Sequence, residues 1–276
     1  MKKLLAKVNS YDSLKYPVDG FILGFENYSY CFEKYFNLEE IKKIIKENPF
    51  KEFFISVNKI ITNDKLDEYK EILKNIDSLN VKGIIVGDVA ALTYNLKTNL
   101  ILDQLHLNNS SLSINHYYNN NAKGVFLTND ITLQEINFIR DNTKSILFKE
   151  VFGLPHLSTS LRKLISNYLE YFNVKNRSNG YYISENNSND YYHIVENDSE
   201  THIFGNKVLN LFEYIDDINV DYLIINDFLL DKKKFMKVVS IFKENDKRKG
   251  KKIKELFDTN DGFIHKKTMY KVKDNE

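Results

Sequence analysis

The sequence predicts an α/β fold: a closed (β/α)8 barrel of the TIM type, with a hairpin insertion between its seventh and eighth strands. Two observations support this prediction. Short apolar runs rich in β-branched residues alternate with amphipathic segments almost throughout the chain. Eight such runs occur in 276 residues, and this barrel typically needs roughly 250 residues. An open, doubly wound parallel sheet is the structural alternative.

The predicted strands are nearly continuous apolar sequences, such as Gly-Ile-Ile-Val-Gly at 83–87. Such runs suit strands that are buried on both faces of a parallel sheet. The eight runs are residues 4–8, 20–25, 52–57, 83–87, 99–102, 124–127, 145–151 and 221–226.

The segments between these runs have the period of an amphipathic helix. Apolar residues recur at helical spacing from Leu38, after Asn37 as a predicted N-cap and with Glu40 three residues further on, the pattern of a capping box. The other segments with one apolar face are residues 64–79, 132–140 and 232–243.

The alternation is interrupted at residues 173–206, which are rich in Asn, Ser, Gly and Asp. Two tyrosine-rich runs, 181–183 and 191–194, flank a polar loop in this segment, as in a β-hairpin. We therefore predict a barrel domain over 1–246 that includes the insertion. A basic C-terminal extension follows over 247–276, and residues 262–270 have the pattern of a further strand.

The overall charge gives no attraction to nucleic acid or membrane, because 39 Lys and Arg stand against 38 Asp and Glu. A local patch is the exception: residues 232–254 hold 11 Lys and Arg against two acids. This stretch predicts a phosphate-binding surface, with Lys249, Lys251 and Lys252 as candidate substrate-binding residues. A solvated helix face is the alternative.

The single cysteine, Cys31, cannot form an intramolecular disulfide or hold a zinc ion or iron–sulfur cluster by itself. Six histidines are scattered without the spacing of a ligand motif. We therefore expect no metal site, and no cofactor held by this chain alone. No run approaches the roughly 20 apolar residues of a membrane span, and the amino terminus lacks an export core, so a cytoplasmic location without a membrane partner is expected.

In a barrel of this type the chemistry lies at the carboxyl ends of the strands. Polar residues that follow the predicted strands are Asn9, Glu26, Asn58, Asp88, Asp103, Gln104, Asn129, Asp130, Glu150, Asn226 and Asp227. Among them we predict Asn58 and Asp88 as catalytic and Gln104 and Asn129 as substrate-binding. The alternative is that strand-end Asp and Asn residues cap the next helix.

Glu150 differs because it lies within an apolar strand sequence. If it points into the barrel, its carboxylate is desolvated and needs a cation or a hydrogen-bond donor. Arg162 is the candidate cation, and we predict Glu150, Arg162 and Ser160 as catalytic. A structural Arg–Glu ion pair is the alternative. No nucleophile elbow, phosphate-binding loop or dinucleotide fingerprint occurs in the chain.

Three stretches of the sequence resemble peptidase family U32, the collagenase-like peptidases. The first comprises residues 18–24, 35–41 and 57–63. The second is Glu-Val-Phe-Gly-Leu-Pro-His at 150–156 with residues 160–168. The third comprises 261–263 and 267–273. Together they extend in order over nearly the whole chain.

The resemblance implies a barrel-like α/β fold and, by the family name, proteolysis. It also implies hydroxylation of RNA bases or quinone precursors, often by paired paralogues, and the chain is most similar to short members linked to 5-hydroxyuridine in tRNA. Glu150, Ser160, Arg162 and Asn167 match the family motif, and we expect Asn167 to bind substrate. Members thought to be catalytic carry cysteines after this motif, some with iron–sulfur clusters. Here Phe152 replaces the motif histidine and no cysteine follows.

These departures predict a cluster-free subunit that acts in tRNA uridine hydroxylation. Its expected partners are a longer, cysteine-containing paralogue and tRNA. Two alternatives remain open: a collagenase-like peptidase, and a non-catalytic interaction protein that retains the fold.

Overall fold

The computed structural model describes residues 2–175, 180–184, 186, 189–198 and 200–266. Eight parallel strands form a closed barrel, in which each strand pairs with the next along the chain and the last pairs with the first. The prediction of a (β/α)8 barrel is confirmed, and all eight predicted strands are present. They are β1 (Lys3–Lys7), β2 (Gly20–Phe25), β4 (Glu52–Val57), β5 (Gly83–Val86), β6 (Leu100–Leu102), β7 (Ala122–Phe126), β8 (Ile146–Gly153) and β14 (Tyr222–Ile225). A short strand, β3 (Tyr35–Phe36), pairs with β2.

Helices lie between the strands along the chain and include the four that were predicted. The helices are α1 (Leu38–Glu47), α2 (Leu66–Asp77), α3 (Ser111–Asn119), α4 (Leu133–Asp141), α5 (Leu164–Tyr171), α6 (Lys232–Glu244) and α7 (Gly250–Leu256). The predicted capping box starts α1, because the Asn37 side chain accepts from the Glu40 backbone at 3.0 Å and the Glu40 side chain accepts from the Asn37 backbone at 2.9 Å.

The interior of the barrel is an apolar layer to which each strand contributes one residue. These eight residues, which we call the inner layer, are Leu5, Ile22, Phe54, Ile85, Ile101, Phe126, Phe148 and Ile224. Phe148 stacks on Tyr222 at 4.6 Å and on Phe126 at 5.0 Å between ring centroids. The barrel is therefore a packed core and not a pore.

The same periodicity places polar side chains at one end of the barrel. Side chains alternate along a strand, so the residue two positions after an inner-layer residue also faces inward. On five strands this position is polar and borders a cavity at the carboxyl ends; we call Lys7, Asp103, Thr128, Glu150 and Asn226 the polar ring. The other three strands have Gly24, Ser56 and Gly87 at this position.

A four-stranded antiparallel sheet is inserted between the seventh barrel strand (β8) and the eighth (β14). Its strands are β9 (His156–Ser160), β10 (Tyr181–Ile183), β11 (Tyr192–Glu196) and β12 (Thr201–Phe204), in the order β10-β11-β12-β9. The pairing of β10 with β11 is the predicted hairpin. The inserted sheet begins before the predicted residue 173, because β9 pairs with β12.

The chain returns to the barrel through β13 (Val208–Asn210), which pairs antiparallel with the end of β8. After α7, β15 (Thr259–Asn260) pairs with β13. The predicted strand at 262–270 is wrong for residues 262–265, which form a turn in which Gly262 has a left-handed φ of 56°; residues 267–270 lie outside the described residues. The domain boundary after residue 246 stays a prediction. No helix in the described part of the chain is long and apolar enough to cross a membrane.

We expect Phe148→Ala to destabilise the protein strongly, because it removes a fully buried ring from the centre of the inner layer. A loss of about 3–5 kcal/mol in the free energy of unfolding is the usual effect of such a cavity. Urea unfolding followed by circular dichroism measures it. Phe50→Ala is the matched control, since Phe50 is 96% exposed; equal losses in the two variants would contradict the packed interior.

Candidate functional site

The candidate site is a small cavity of about 60 Å³ at the carboxyl ends of the barrel strands, with room for several water molecules. The polar ring borders the cavity from the barrel. The loop after β2 contributes Tyr30 and Cys31, and the segment after β8 together with the inserted sheet contributes Leu154, His156 and Phe204. The cavity is therefore formed by both the barrel and the insertion.

Glu150 faces this cavity as its sequence position suggested. Its Oε1 is buried and has no hydrogen-bond partner among the described residues. Burial raises the pKa of Glu150, while the positive charges of Lys7 and Lys149 oppose this shift. The expected cation does not act on it: Arg162 is exposed in the insertion, where its carbonyl accepts a hydrogen bond from Thr201.

A glycine at the end of β8 makes room for the Glu150 carboxyl. Gly153 has a φ of 153°, and a Cβ at this position would lie 2.7 Å from Oε1 of Glu150 and 3.0 Å from Cβ of Asn226. Any larger residue at position 153 would therefore displace Glu150 or Asn226, which are both members of the polar ring.

Lys149, next to Glu150, has its side chain on the other side of the strand. The Lys149 Nζ donates to Oδ1 of Asn129, and burial lowers the pKa of Lys149 to about 8. The predicted substrate-binding residue Asn129 borders the cavity, and its carbonyl oxygen is already engaged by this lysine.

Asn58, predicted as catalytic, connects the barrel rim to the loop after β2. Its Nδ2 donates to Oδ2 of Asp103 at 3.1 Å, and its Oδ1 accepts from the Tyr30 backbone at 3.2 Å. Gln104 lies beside Asn58 in an adjoining pocket, and its Oε1 is buried without a partner in the described structure.

Asp88 has the geometry of the capping alternative. Its Oδ1 accepts from the backbone of Ala90 at 2.8 Å, at the start of a short 3-10 helix, and its Oδ2 accepts from the backbone of Ile61 at 3.0 Å. Both carboxylate oxygens therefore hold loops in place.

The remaining predicted residues lie away from the cavity. Ser160 is in β9, opposite Thr201, and Asn167 is exposed on α5. Lys249 pairs with Glu244, and Lys251 and Lys252 are exposed on α7.

Helix α6 separates these lysines from the rim. At its start, Nζ of Lys232 lies 3.0 Å from Oε2 of Glu33 on the loop after β2. At its end, Lys243 pairs with Asp19, the residue before β2, at 2.5 Å. Helix α6 therefore runs along the barrel from the carboxyl end of β2 to its amino end. Lys249, Lys251 and Lys252 follow the helix, at the end opposite the cavity. Their role as substrate-binding residues stays a prediction.

A second group of side chains at the cavity was not foreseen from the sequence. The possible ligand atoms of Cys31, His156 and His202 all lie within 4.8 Å of one another. The three residues come from the loop after β2, the start of β9 and β12, and no spacing in the sequence connects them. Only the pairing of β9 with β12 brings the two histidines together.

Local structure fixes each member of this group. Cys31 has a left-handed φ of 62°, a conformation uncommon outside glycine. The loop around it is held because the Glu33 backbone donates to Oδ1 of Asn9 at 3.0 Å. The His202 ring stacks on Tyr30 with 5.0 Å between centroids.

Burial determines the charge states in this group. Burial raises the pKa of the Cys31 thiol well above its usual value. Burial, followed by the neighbouring His202, lowers the pKa of His156 to about 3, so the His156 imidazole is neutral. Burial acts to raise the pKa of Glu200, but the hydrogen bond from His202 acts in the opposite direction, and the pKa of Glu200 is lowered.

The fold and the cavity define the class of protein. It is a (β/α)8 barrel protein whose candidate site lies at the carboxyl ends of the strands, beside an inserted sheet. The chain belongs to peptidase family U32, since the model of that family matches residues 9–271.

Two relatives illustrate this membership. The chain is 24% identical over 241 residues to tRNA hydroxylation protein P2 of Bacillus subtilis (strain 168). The aligned region covers 81% of this chain and 77% of that protein. The solved structure of the U32 peptidase Mk0906 superposes with a TM-score of 0.52 at 14% identity, over 82% of this chain and 92% of that one. The structural similarity confirms the fold.

We expect Glu150→Gln to change the pH dependence of stability. Above pH 4.5, the ordinary pKa of a glutamate, the unfolded chain loses a proton that the folded protein retains at Glu150. The contribution of Glu150 to the free energy of unfolding therefore falls as the pH rises from 4.5 towards the raised pKa of the folded protein. Glutamine has no proton to lose, so the stability of the variant should fall less over this range.

Urea unfolding at a series of pH values measures this difference. Glu47→Gln is the matched control, because Glu47 is exposed at the end of α1 and should give a curve parallel to that of the unmodified protein. A parallel curve for Glu150→Gln as well would show that the Glu150 pKa is not raised.

Proposed function

We propose that this protein takes part in the hydroxylation of uridine in tRNA, as the cluster-free partner of a longer paralogue. The observation that carries the proposal is the combination of U32 membership with the similarity to a protein named for tRNA hydroxylation. The 24% identity extends over most of both chains, so the relationship includes the barrel and the insertion together.

The chemistry of the polar ring fits a uracil base. Uracil presents one N–H donor between two carbonyl acceptors. Asp103 and Glu150 offer acceptors and Lys7 offers a donor at the same cavity. Tyr30 and Phe204 add aromatic rings on which a base can stack. A base inside a barrel mouth must be flipped out of its stack.

An exposed apolar surface supports the proposed protein partner. Helix α5 of the insertion exposes Tyr168, Tyr171 and Phe172 by 59%, 83% and 56%. Tyr168 and Phe172 pack against each other with 4.7 Å between ring centroids, and Leu161 and Leu164 of the same segment are also exposed. Contiguous exposed aromatic groups of this kind are typical of interaction surfaces, and this one lies on the element that covers the cavity.

Deletion of the gene should abolish or strongly reduce 5-hydroxyuridine in tRNA, which mass spectrometry of digested tRNA nucleosides measures. Complementation with Glu150→Gln should fail to restore the modification, because the variant lacks the carboxylate in the cavity. Complementation with Glu47→Gln, an exposed helix residue, should restore it. An unchanged content of 5-hydroxyuridine in the deletion strain would refute the proposed function.

Proteolysis is the second candidate function, and one arrangement favours it. Oγ1 of Thr159 lies 3.1 Å from Nδ1 of His202, and Nε2 of His202 lies 3.2 Å from Oε2 of Glu200. A hydroxyl, an imidazole and a carboxylate in series can activate a nucleophile. Cleavage of casein or gelatin by the purified protein, lost in Thr159→Val, would support this function in place of tRNA hydroxylation.

We also propose that Lys251 and Lys252 contact the RNA backbone. Neither side chain forms an ion pair among the described residues, so both charges are available to phosphates. Reversal of both to Glu should lower tRNA affinity and reduce the slope of log affinity against log salt by about 1 for each phosphate that is no longer neutralised. Filter binding at several salt concentrations measures the slope.

The control is reversal of Lys42 and Lys43 on α1, which are also exposed but lie outside the basic stretch. If the control variant lowers the slope by the same amount, Lys251 and Lys252 act only through the net charge of the protein and do not contact the RNA backbone. An unchanged slope after their reversal would exclude the predicted contact.

A further inference from the structure

We propose that Cys31, His156 and His202 bind a single divalent transition-metal ion of the zinc class, with a fourth coordination position open to the cavity. The proposal goes beyond the proposed function and does not depend on it, because it concerns metal binding by this chain alone. It stands on distances, hydrogen bonding and charge around the three side chains.

The spacing of the two imidazoles fits a tetrahedral site. Nε2 of His156 and Nδ1 of His202 lie 3.3 Å apart. Two nitrogens at the usual zinc–nitrogen distance in a tetrahedron are separated by about 3.3 Å. The sulfur of Cys31 completes a group of three whose ligand atoms lie within 4.8 Å of one another, so small side-chain movements would bring all three to an ion.

Hydrogen bonding prepares His202 as a ligand. Its Nε2 lies 3.2 Å from Oε2 of Glu200; a carboxylate only accepts, so the proton lies on Nε2 and the lone pair of Nδ1 faces His156. Metal-binding histidines commonly have a carboxylate on the other ring nitrogen. Glu200 is itself 3% exposed and is held by Asn197, whose Oδ1 accepts from the Glu200 backbone at 2.8 Å.

His156 has an unused nitrogen. Its Nδ1 is buried without a hydrogen-bond partner in the described part of the structure. A buried polar atom without a partner is costly and calls for an explanation. The His156 ring borders the cavity, and its Nε2 is the nitrogen that lies 3.3 Å from Nδ1 of His202.

The surrounding charges favour a cation. The carboxylates of Asp103 and Glu200 act on the Cys31 sulfur and are opposed by the cation Lys7. A divalent ion bound by one thiolate and two neutral imidazoles leaves a net charge of +1, which these carboxylates offset.

The donor set selects the class of metal. One sulfur and two nitrogens suit zinc and neighbouring transition metals, whereas magnesium and calcium prefer oxygen ligands. Three protein ligands leave a fourth position for water or substrate, as in catalytic zinc sites. Cys31 and His156 both border the cavity that holds Glu150, so this position faces the polar ring.

The competing explanation is a simple hydrogen-bonded cluster. Oγ1 of Thr159 lies 3.2 Å from Nε2 of His156 and 3.1 Å from Nδ1 of His202. The Thr159 hydroxyl can donate to Nδ1 of His202 and accept from Nε2 of His156 when that nitrogen carries the proton, so this cluster is a complete alternative to a metal. Metal binding separates the two explanations directly.

The test is titration of the purified, reduced full-length protein with Co²⁺ after treatment with a chelator, followed by absorption spectroscopy. We expect one equivalent to bind, with a thiolate-to-cobalt charge-transfer band and the visible bands of a tetrahedral ion, and Zn²⁺ should displace it. Cys31→Ser should lose the charge-transfer band. Glu200→Gln should keep the band but weaken binding by about 10–100-fold, because the carboxylate only orients His202.

His116→Ala is the matched control, because His116 is exposed on α3; its spectrum and affinity should equal those of the unmodified protein. Circular dichroism of each variant confirms that it is folded. Absence of a stoichiometric charge-transfer band in the unmodified protein would overturn the proposal. Binding that is equally strong in Cys31→Ser and in the folded His202→Ala variant would also overturn it.

Discussion

The arrangement of the site depends on the two-residue period of the barrel strands. Each strand commits one apolar residue to the inner layer, and Phe148 packs there against rings from two neighbouring strands. Once that layer is fixed, the next inward position of each strand is fixed as well. Glu150 therefore lies in the barrel mouth because Phe148 lies in the core, and Asp103 follows Ile101 for the same reason.

The rest of the cavity is supplied by segments outside the strands, and small residues let them approach. Phe32 of the loop after β2 packs over Gly24, where a Cβ would lie 2.8 Å from the ring. Asn58 and Asn9 then hold this loop through its backbone. On the opposite side, a bulge in the pairing of β8 with β14 falls between Ile224 and Ile225. It changes the alternation after Glu150, so that Phe152 joins the outer core.

The departures from the family motif have a structural counterpart. Phe152, which the resemblance to the family places at the motif histidine, packs outside the barrel against Phe235, Phe242 and Phe257. It could not contact the cavity in this register. The His156 imidazole borders the cavity from the inserted sheet. His202 on β12 lies beside it, close to Cys31 from the loop after β2.

The sequence by itself determined the barrel and the position of the insertion between its seventh and eighth strands, because both depend on local periodicity and order along the chain. The capping of α1 by Asn37 and Glu40 is local in the same way. Tertiary structure alone decided which cations act on Glu150: Lys7 lies on the first strand and Arg162 points to solvent from the insertion. It also decided that Asp88 holds loops and that Cys31, His156 and His202 meet. These contacts join segments far apart in the chain, and only the closure of the barrel and the pairing of β9 with β12 set their distances.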